Sequence, residues 1–192
     1  MTKTLNLVSA IPPSVNHYLA YRVVKTRGNK YIASSYKTKE AKKYQDNFEL
    51  YVSQEAIKQG WDINEMKDKH LDVDTTFFFP RKDMDCNNYF KVMLDSITNT
   101  GKVWEDDNIV CERVSQIFYD SQNPHIEISI HPVDYVGIFD NNDEMKNFEN
   151  MCKGCARYTR NCSLLKKAKQ GYIQDGVTKE CCSFFKSKKQ GE

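Results

Sequence analysis

Hydrophobic and polar residues alternate in several short segments of the chain, a spacing typical of β-strands with one buried face. The clearest alternation covers residues 71–79, and a weaker one covers residues 4–10. Two further strands are predicted at residues 109–119 and 125–131. A short polar turn separates these last two, so we expect them to pair as an antiparallel hairpin.

Two longer segments have apolar residues at helical spacing. One lies between a Thr38 cap and Gly60 and predicts a helix of about 20 residues. The other is shorter, with Asn87 or Asn88 as its expected cap, and ends near residues 99–101 after about three turns. The order of elements predicts an α+β fold, a mixed sheet with two main helices packed on it and a small cysteine-rich C-terminal appendage.

Length and composition place broad limits on the class of protein. A chain of 192 residues is long enough for one domain of ordinary size with an appendage. Since no segment approaches the roughly 18 apolar residues of a membrane span, and the start lacks the layout of a signal peptide, we expect a cytoplasmic protein without membrane contact. Seven cysteines, an odd number, fit reduced thiols or metal ligands better than a disulfide framework in that compartment.

The net charge of +2 conceals three blocks of opposite sign. Residues 1–59 contain 10 basic and 4 acidic residues (+6), residues 60–144 contain 7 and 18 (−11), and residues 145–192 contain 11 and 4 (+7). An acidic centre repels phosphate unless cations bind there, whereas basic flanks attract it. The layout fits a metal-dependent nuclease, although an ordinary solvated surface is an equally good interpretation of charge alone.

Four carboxylates flank the second predicted helix. Asp83 and Asp85 precede it, and Asp106 and Asp107 follow it. A strand-to-helix corner and the next loop are expected to bring them together near Lys91, which lies on the face of the helix that is nearest to the acids. Hard oxygen ligands with open coordination positions suit Mg²⁺ or Mn²⁺ rather than Zn²⁺.

This stretch resembles the core of the RusA family of phage and prophage Holliday-junction resolvases, which reads D-x-D-N-x-x-K-x-x-x-D and then W-x-D-D. The residues that fall onto this pattern are Asn88, Lys91, Asp95, Trp104, Asp106 and Asp107. Residues 12–18, PPSVNHY, resemble the family's PPSxNxxY opening, so the similarity covers roughly the first 130 residues. The resemblance implies a magnesium-dependent endodeoxyribonuclease that acts on branched DNA in a bacterial or phage-infected cell. It also implies a homodimer, because resolving a junction requires two symmetric nicks.

The chain departs from the family pattern at one position. Aligned without a gap from Lys91, the family's two aspartates fall on Asp85 and Asn87, so an amide replaces the second carboxylate. A shift of two residues makes the pair Asp83 and Asp85 instead. Both registers keep Asp85 and Asp107, and the sequence does not choose between them.

The resemblance assigns roles to the acidic stretch. The expected catalytic residues are Asp83, Asp85, Lys91 and Asp107, with Asp106 as a further ligand or as a residue that orients one. The family's lysine implies that Lys91 offers positive charge to the scissile phosphate or the leaving oxygen.

DNA contacts are expected mainly from a predicted hairpin around Gly28-Asn29, where basic residues are interleaved with tyrosines. Such tyrosines also commonly pack a sheet, so the pattern alone leaves both interpretations open. The candidate DNA-binding residues are Asn16, Arg22, Lys25, Arg27, Lys30, Arg81, Lys82 and Asn88.

A polar stretch at residues 139–144 is the predicted linker between a nuclease domain at residues 1–138 and a basic segment at residues 145–192. This segment contains five cysteines in a C-x2-C-x6-C-x18-C-C pattern: Cys152, Cys155, Cys162, Cys181 and Cys182. Four of the five can complete a tetrahedral zinc site, and the small apolar content favours such a staple. An iron–sulfur cluster uses the same ligands, and free cysteines in a disordered tail are the remaining alternative.

Two other functions are consistent with the sequence. In the first, the chain is a zinc-containing DNA-binding regulator without nuclease activity, whose acidic pairs only cap helices. In the second, the chain is a nuclease of the same fold that prefers flaps or other branched DNA.

Overall fold

The alternating segments form the strands of a mixed four-stranded sheet in a computed structural model that describes residues 3–66, 69–133, 135–160 and 162–188. Its strands are β1 (Leu5–Ala10), β4 (His70–Phe79), β5 (Val110–Tyr119) and β6 (His125–Val133), in the order β1-β6-β4-β5. Strand β6 is antiparallel to both neighbours, and β5 is parallel to β4. A separate two-stranded sheet pairs β2 (Leu19–Lys25) with β3 (Tyr31–Lys37). The α+β class with a mixed sheet is confirmed.

The predicted hairpin between the last two strands is wrong, because β4 lies between β5 and β6. The turn after β5 passes over the end of β4, where the Asp120 N–H donates to the Phe79 carbonyl at 2.8 Å. Strand β4 has the strongest alternation, and its core-facing side chains are fully buried, which suits a central position in the sheet. The local pattern of two strands joined by a short turn does not reveal that a third strand lies between them.

Five α-helices accompany the strands within the described ranges: α1 (Val15–Tyr18), α2 (Lys39–Lys58), α3 (Asn87–Asn99), α4 (Asn142–Lys153) and α5 (Leu164–Lys169). The Thr38 cap of α2 is confirmed, since its side chain accepts the Ala41 N–H at 3.2 Å. The expected asparagine cap of α3 is wrong. Cys86 occupies the N-cap position, Asn87 is already helical, and Asp85 accepts the Asn87 N–H instead.

The core around the four-stranded sheet lies between one face of that sheet and the two long helices, α2 and α3. Phe48 and Val52 of α2, and Met93 and Ile97 of α3, are buried there against sheet residues such as Phe77. This packing explains the helical spacing of the apolar residues, because only one face of each helix meets the sheet. It also fixes the first turn of α3 beside the end of β4.

The chain divides into two compact units, residues 1–133 and 134–192. The second contains α4 and α5, and α4 begins within the polar stretch 139–144, where Asn141 accepts the Glu144 N–H at 2.9 Å as a helix cap. None of the helices in the described ranges has the length and apolar character needed to cross a membrane.

Candidate active site

The connection between β4 and α3 carries the first acidic pair. Asp83 forms an ion pair with Arg81 at 3.0 Å, and both side chains are exposed. Asp85 Oδ1 accepts the Asn87 N–H at 3.0 Å, which anchors this carboxylate at the start of the helix. The strand-to-helix corner therefore presents both acids beside the first turn of α3.

Tyr89 lies beside these charges. Burial raises the pKa of its phenol, the Arg81 guanidinium lowers it, and the carboxylates of Asp85 and Asp83 raise it further. The ring of Tyr89 is buried against Phe79 at a centroid distance of 5.5 Å. The connection between β4 and α3 that carries Asp83 and Asp85, here called the acidic corner, therefore lies next to the aromatic core.

The next turn of α3 carries Lys91, whose ammonium contacts Asp95 Oδ1 at 2.6 Å. The second oxygen of Asp95 accepts the hydroxyl proton of Tyr18 at 3.2 Å. Tyr18 belongs to α1 and is buried against Val92, so a residue distant in sequence fixes the orientation of Asp95. Asp95 in turn restrains Lys91.

The second acidic pair follows α3. The hydrogen bond to Asp95 raises the pKa of Lys91, and the negative charges of Asp95 and Asp107 add to the rise. Asp106 Oδ1 accepts the Asn108 N–H at 2.9 Å and caps the 3₁₀ turn Asp107–Ile109. The preceding Trp104 is buried and donates its indole N–H to Thr98 at 2.7 Å, which anchors this loop to α3.

The acids therefore lie on two segments of the chain, Asp83 and Asp85 before α3 and Asp106 and Asp107 after it. Within the described ranges, no three or more acidic, histidine or cysteine side chains are placed as a metal site. The donor set nevertheless suits a hard divalent cation, because carboxylate oxygens are the ligands that Mg²⁺ prefers, and hydrogen bonds to one oxygen orient Asp85 and Asp106. The convergence of the two acidic pairs on one ion stays a prediction.

The family model described as endodeoxyribonuclease RusA matches residues 12–131, more than half of the chain and nearly the whole first unit. The chain belongs to the RusA endodeoxyribonuclease family. Membership implies an endonuclease of the kind that resolves Holliday junctions, and RusA-like nucleases generally depend on divalent metals. No curated protein matches the chain. The matched range contains the acidic corner, Lys91 and Tyr18, whereas all five C-terminal cysteines lie outside it.

The RusA-like unit places the candidate DNA-binding residues in four locations. Four occupy the β2–β3 hairpin and its turn, and all are exposed: Arg22, Lys25, Arg27 and Lys30. Arg81 and Lys82 are exposed in the acidic corner, whereas Asn88 lies half-buried in the first turn of α3 and Asn16 is exposed on α1.

The hairpin itself has an unusual composition for an exposed element. Tyr21 and Tyr31 are 74% and 70% exposed, so these tyrosines do not pack a core. The Arg22 guanidinium lies 5.6 Å from the centre of the Tyr36 ring, and the Lys25 ammonium lies 6.0 Å from that of Tyr31. The hairpin therefore presents cationic and aromatic groups together on an open surface.

In the second unit, the C-x2-C pair lies at the end of α4. Cys152 is in the last turn of the helix, and its carbonyl accepts the Cys155 N–H at 2.9 Å. Burial raises the pKa of the Cys152 thiol to about 11, and Cys182, Cys162 and Cys155 add to the rise. Cys182 and Cys162 are half-buried, and Cys181 is exposed beside Thr178.

Cys155 has a different environment although it is buried. Backbone N–H groups of Lys186 and Arg157 donate to it and lower the pKa of its thiol, with a smaller contribution from Tyr158. The Lys186 nitrogen lies 3.4 Å from Cys155 Sγ. Backbone donors of this kind favour the negatively charged thiolate.

Sequence reasoning gave Tyr18 no role in the site. The only signal was its place in the PPSVNHY opening, because Tyr18 and Asp95 are 77 positions apart and meet only through the packing of α1 on α3. The local spacing did place Lys91 and Asp95 together, since residues four apart in a helix share a face.

Proposed function

We propose that the chain is a magnesium-dependent endodeoxyribonuclease that resolves Holliday junctions or closely related branched DNA by paired symmetric nicks. The observation that carries the proposal is the hydrogen-bonded chain Tyr18–Asp95–Lys91, within the range that the family model matches. It combines a fixed positive charge with carboxylates, which is what hydrolysis of a phosphodiester requires.

The acids Asp83, Asp85 and Asp107 are the proposed ligands of one or two Mg²⁺ or Mn²⁺ ions, with Asp106 as a further candidate. A bound divalent ion supplies positive charge for the reacting phosphate and acidifies water. Asp85 is oriented for this role by the Asn87 N–H, and Asp107 by its place at the start of a capped 3₁₀ turn. In the proposed mechanism Asp83 and Asp85 approach the ion from the connection between β4 and α3, and Asp107 approaches it from the 3₁₀ turn that follows α3.

Lys91 acts in this mechanism as a charge rather than as a base. Its pKa is raised, so the ammonium stays protonated throughout the neutral range. One of its protons is shared with Asp95, and an ammonium has three donors, so the others are available to a phosphate oxygen. The ammonium stabilises negative charge that develops on the scissile phosphate or on the leaving oxygen.

The β2–β3 hairpin is the proposed arm that holds the DNA. A two-stranded hairpin is at best marginally stable without further packing, and this one exposes most of its side chains. Tyrosine rings can stack on unpaired bases at a branch point, and the neighbouring Arg22 and Lys25 can neutralise phosphates. Contact with branched DNA would therefore bury surface that the protein alone leaves exposed.

A homodimer is the proposed form, because paired nicks require two active sites. The free edge strand β5 supports this, since residues on both of its faces are exposed, including Phe118 at 46% and Tyr119 at 62%. A second copy of the chain placed along this edge would cover apolar surface and unpaired backbone groups together. Sedimentation at the mass of a single chain at micromolar concentration would contradict the dimer.

The function is tested with a labelled four-way junction incubated with and without Mg²⁺, beside flap, fork and linear duplex substrates. We expect symmetric nicks in opposite strands of the junction only when Mg²⁺ or Mn²⁺ is present. Faster cutting of the flap would reassign the substrate. Tight DNA binding in EDTA without cleavage under any metal condition would favour the zinc-containing regulator.

The family's second aspartate position can be assigned by comparing Asp83→Asn with Asn87→Ala. We expect the larger loss of cleavage at Asp83, because Asn87 uses its backbone N–H to hold Asp85, a contact that an alanine retains. Initial rates over a range of Mg²⁺ concentrations measure the effect. A larger loss in Asn87→Ala would support the ungapped register.

Tyr18→Phe should lower kcat about three- to tenfold with little change in KM for the junction, because it removes one hydrogen bond to the charged Asp95. Tyr51→Phe is the matched control, since the Tyr51 hydroxyl also makes one hydrogen bond, to the Val8 N–H, and that bond is not part of the site. Equal kcat values for Tyr18→Phe and wild type would contradict the positioning role. Thermal unfolding of both variants separates it from a loss of stability.

A further inference from the structure

The apolar core of the second unit is small for a segment of its length. In the part that the structure describes, its buried members are Phe139, Phe148, Ala168 and Val177. Segments of about 60 residues bury too little apolar surface for ample stability, and many use a metal or disulfides in addition. The seven cysteines, all within the described ranges, are free thiols. A metal ion bound by these thiols is therefore the means that remains for additional stabilisation of this unit.

The C-x2-C turn is joined to the C-terminal strap, residues 182–188. The Ala156 N–H donates to the Lys186 carbonyl at 2.7 Å, and the Lys188 N–H donates to the Gly154 carbonyl at 3.1 Å. Between them, the Lys186 N–H points at Cys155 Sγ, with 3.4 Å between nitrogen and sulfur. N–H groups that surround a buried sulfur stabilise a thiolate, the form of cysteine that binds metals.

The same strap begins at Cys182. Cys182 pairs with Val177, and both Cys182 and Cys152 pack against the small core. Gly176 supports this arrangement, because its carbonyl accepts the Ser183 N–H at 2.8 Å and its positive φ of 73° avoids the strain that a side chain would bring.

Cys162 completes the group from the loop that follows the C-x2-C turn. It is half-buried and follows Cys155 by seven positions. The intervening Thr159 has φ 62°, a conformation that β-branched residues rarely adopt. The loop between the C-x2-C turn and Cys162 therefore contains a strained backbone conformation.

Cys181 differs from Cys182 although the two are adjacent. It is exposed, and its sulfur lies 3.4 Å from Thr178 Oγ1. The Thr178 hydroxyl also accepts the Cys181 N–H at 3.1 Å, which fixes this residue in a local turn. The two neighbouring cysteines therefore face different surroundings.

We propose that Cys152, Cys155, Cys162 and Cys182 bind one Zn²⁺ ion as a structural four-thiolate site, and that Cys181 is not a ligand. No three of these side chains are placed as a metal site in the described ranges, so the thiols rotate toward a common point on binding, which the half-buried positions of Cys152, Cys162 and Cys182 allow. Binding releases four protons, and the resulting site carries two negative charges, which the basic surroundings (+7 over residues 145–192) offset. The site does not depend on nuclease activity.

The test compares Cys182→Ser with its matched control Cys181→Ser in the full chain. Elemental analysis should find about one zinc per chain in the wild type and in Cys181→Ser, and a loss of most of it in Cys182→Ser. Loss of zinc from Cys181→Ser with retention in Cys182→Ser would overturn the ligand assignment. Brown protein with iron and sulfide would overturn zinc, and metal-free protein with a protease-resistant second unit would overturn the site itself.

Thiol labelling of the wild type provides a second measurement if Cys182→Ser fails to fold. In the zinc-loaded protein, an alkylating reagent should modify the exposed Cys181 and Cys111 and leave the four ligands protected. After treatment with a chelator, all four should become reactive, as mapped by peptide mass spectrometry. Protection of Cys181 together with reactivity of Cys182 would refute the assignment independently of any variant.

Discussion

Asp107→Asn is expected to reduce junction cleavage at least about a hundredfold while junction binding is retained or tightened. The variant keeps the size of the side chain and removes one carboxylate charge. Metal-assisted phosphodiester cleavage depends on several kcal/mol of charge stabilisation, so weakened metal binding lowers the rate strongly. Binding responds in the opposite direction, because removing a negative charge from the acidic site reduces repulsion of the phosphate backbone.

The loss should be measured as a single-turnover rate at saturating Mg²⁺, with binding measured separately in EDTA. Asp62→Asn is the matched control, because it makes the same change from a carboxylate to an amide at an aspartate outside the site, which accepts the Asn64 N–H and precedes β4 in the chain. Its rate should equal that of the wild type. Cleavage by Asp107→Asn at the wild-type rate would show that the metal assignment is wrong, and Asp85→Asn provides an independent repeat.

Much of the fold could be predicted from local patterns. Alternation located the strands, and helical spacing located α2 and α3, because each element buries one face on the same core. The pairing of β5 with β4 could not be predicted in this way. Pairing depends on which strand occupies the centre of the sheet, and the short turn after β5 fitted a hairpin equally well.

In the second unit, the sequence does contain a local signal for helix α4. Met145, Phe148 and Met151 recur at helical spacing after Asn141, and Glu144 lies three positions beyond that cap. This is the usual start of a helix, yet the polar composition of residues 139–144 suggested a linker. The polar residues of this stretch instead cap α4 and form its first turn, because acidic side chains at the N-terminus of a helix interact favourably with the helix dipole.

The site was partly predictable for the same reason as the fold. Lys91 and Asp95 are neighbours along one helix, so their contact follows from spacing alone. The Tyr18 hydroxyl bond to Asp95 joins separate elements, and only the packed structure reveals it. Because this bond fixes the carboxylate that contacts the Lys91 ammonium, it supports the proposed catalytic role of Lys91.

Lys91→Ala is accordingly expected to lower the turnover of junction cleavage about 10²- to 10³-fold, the usual cost of removing one donor that stabilises transition-state charge. Junction affinity should change by less than about threefold, because one phosphate contact among several adds little to binding. A lysine that only paired with Asp95 on the surface would leave the rate unchanged. The raised pKa also predicts that stabilisation by this ion pair is complete at neutral pH and is lost only as alkaline pH passes the folded-state pKa.

Lys58→Ala is the matched control, because Lys58 also forms an ion pair within a helix, with Glu55 at 2.8 Å, outside the site. Both variants should show similar small changes in thermal unfolding, and only Lys91→Ala should lose turnover. Lys91→Arg should recover part of the rate, since it restores the charge with a different donor geometry. Equal turnover in Lys91→Ala and Lys58→Ala would contradict the catalytic role, whereas a parallel loss of junction affinity would make Lys91 a binding residue.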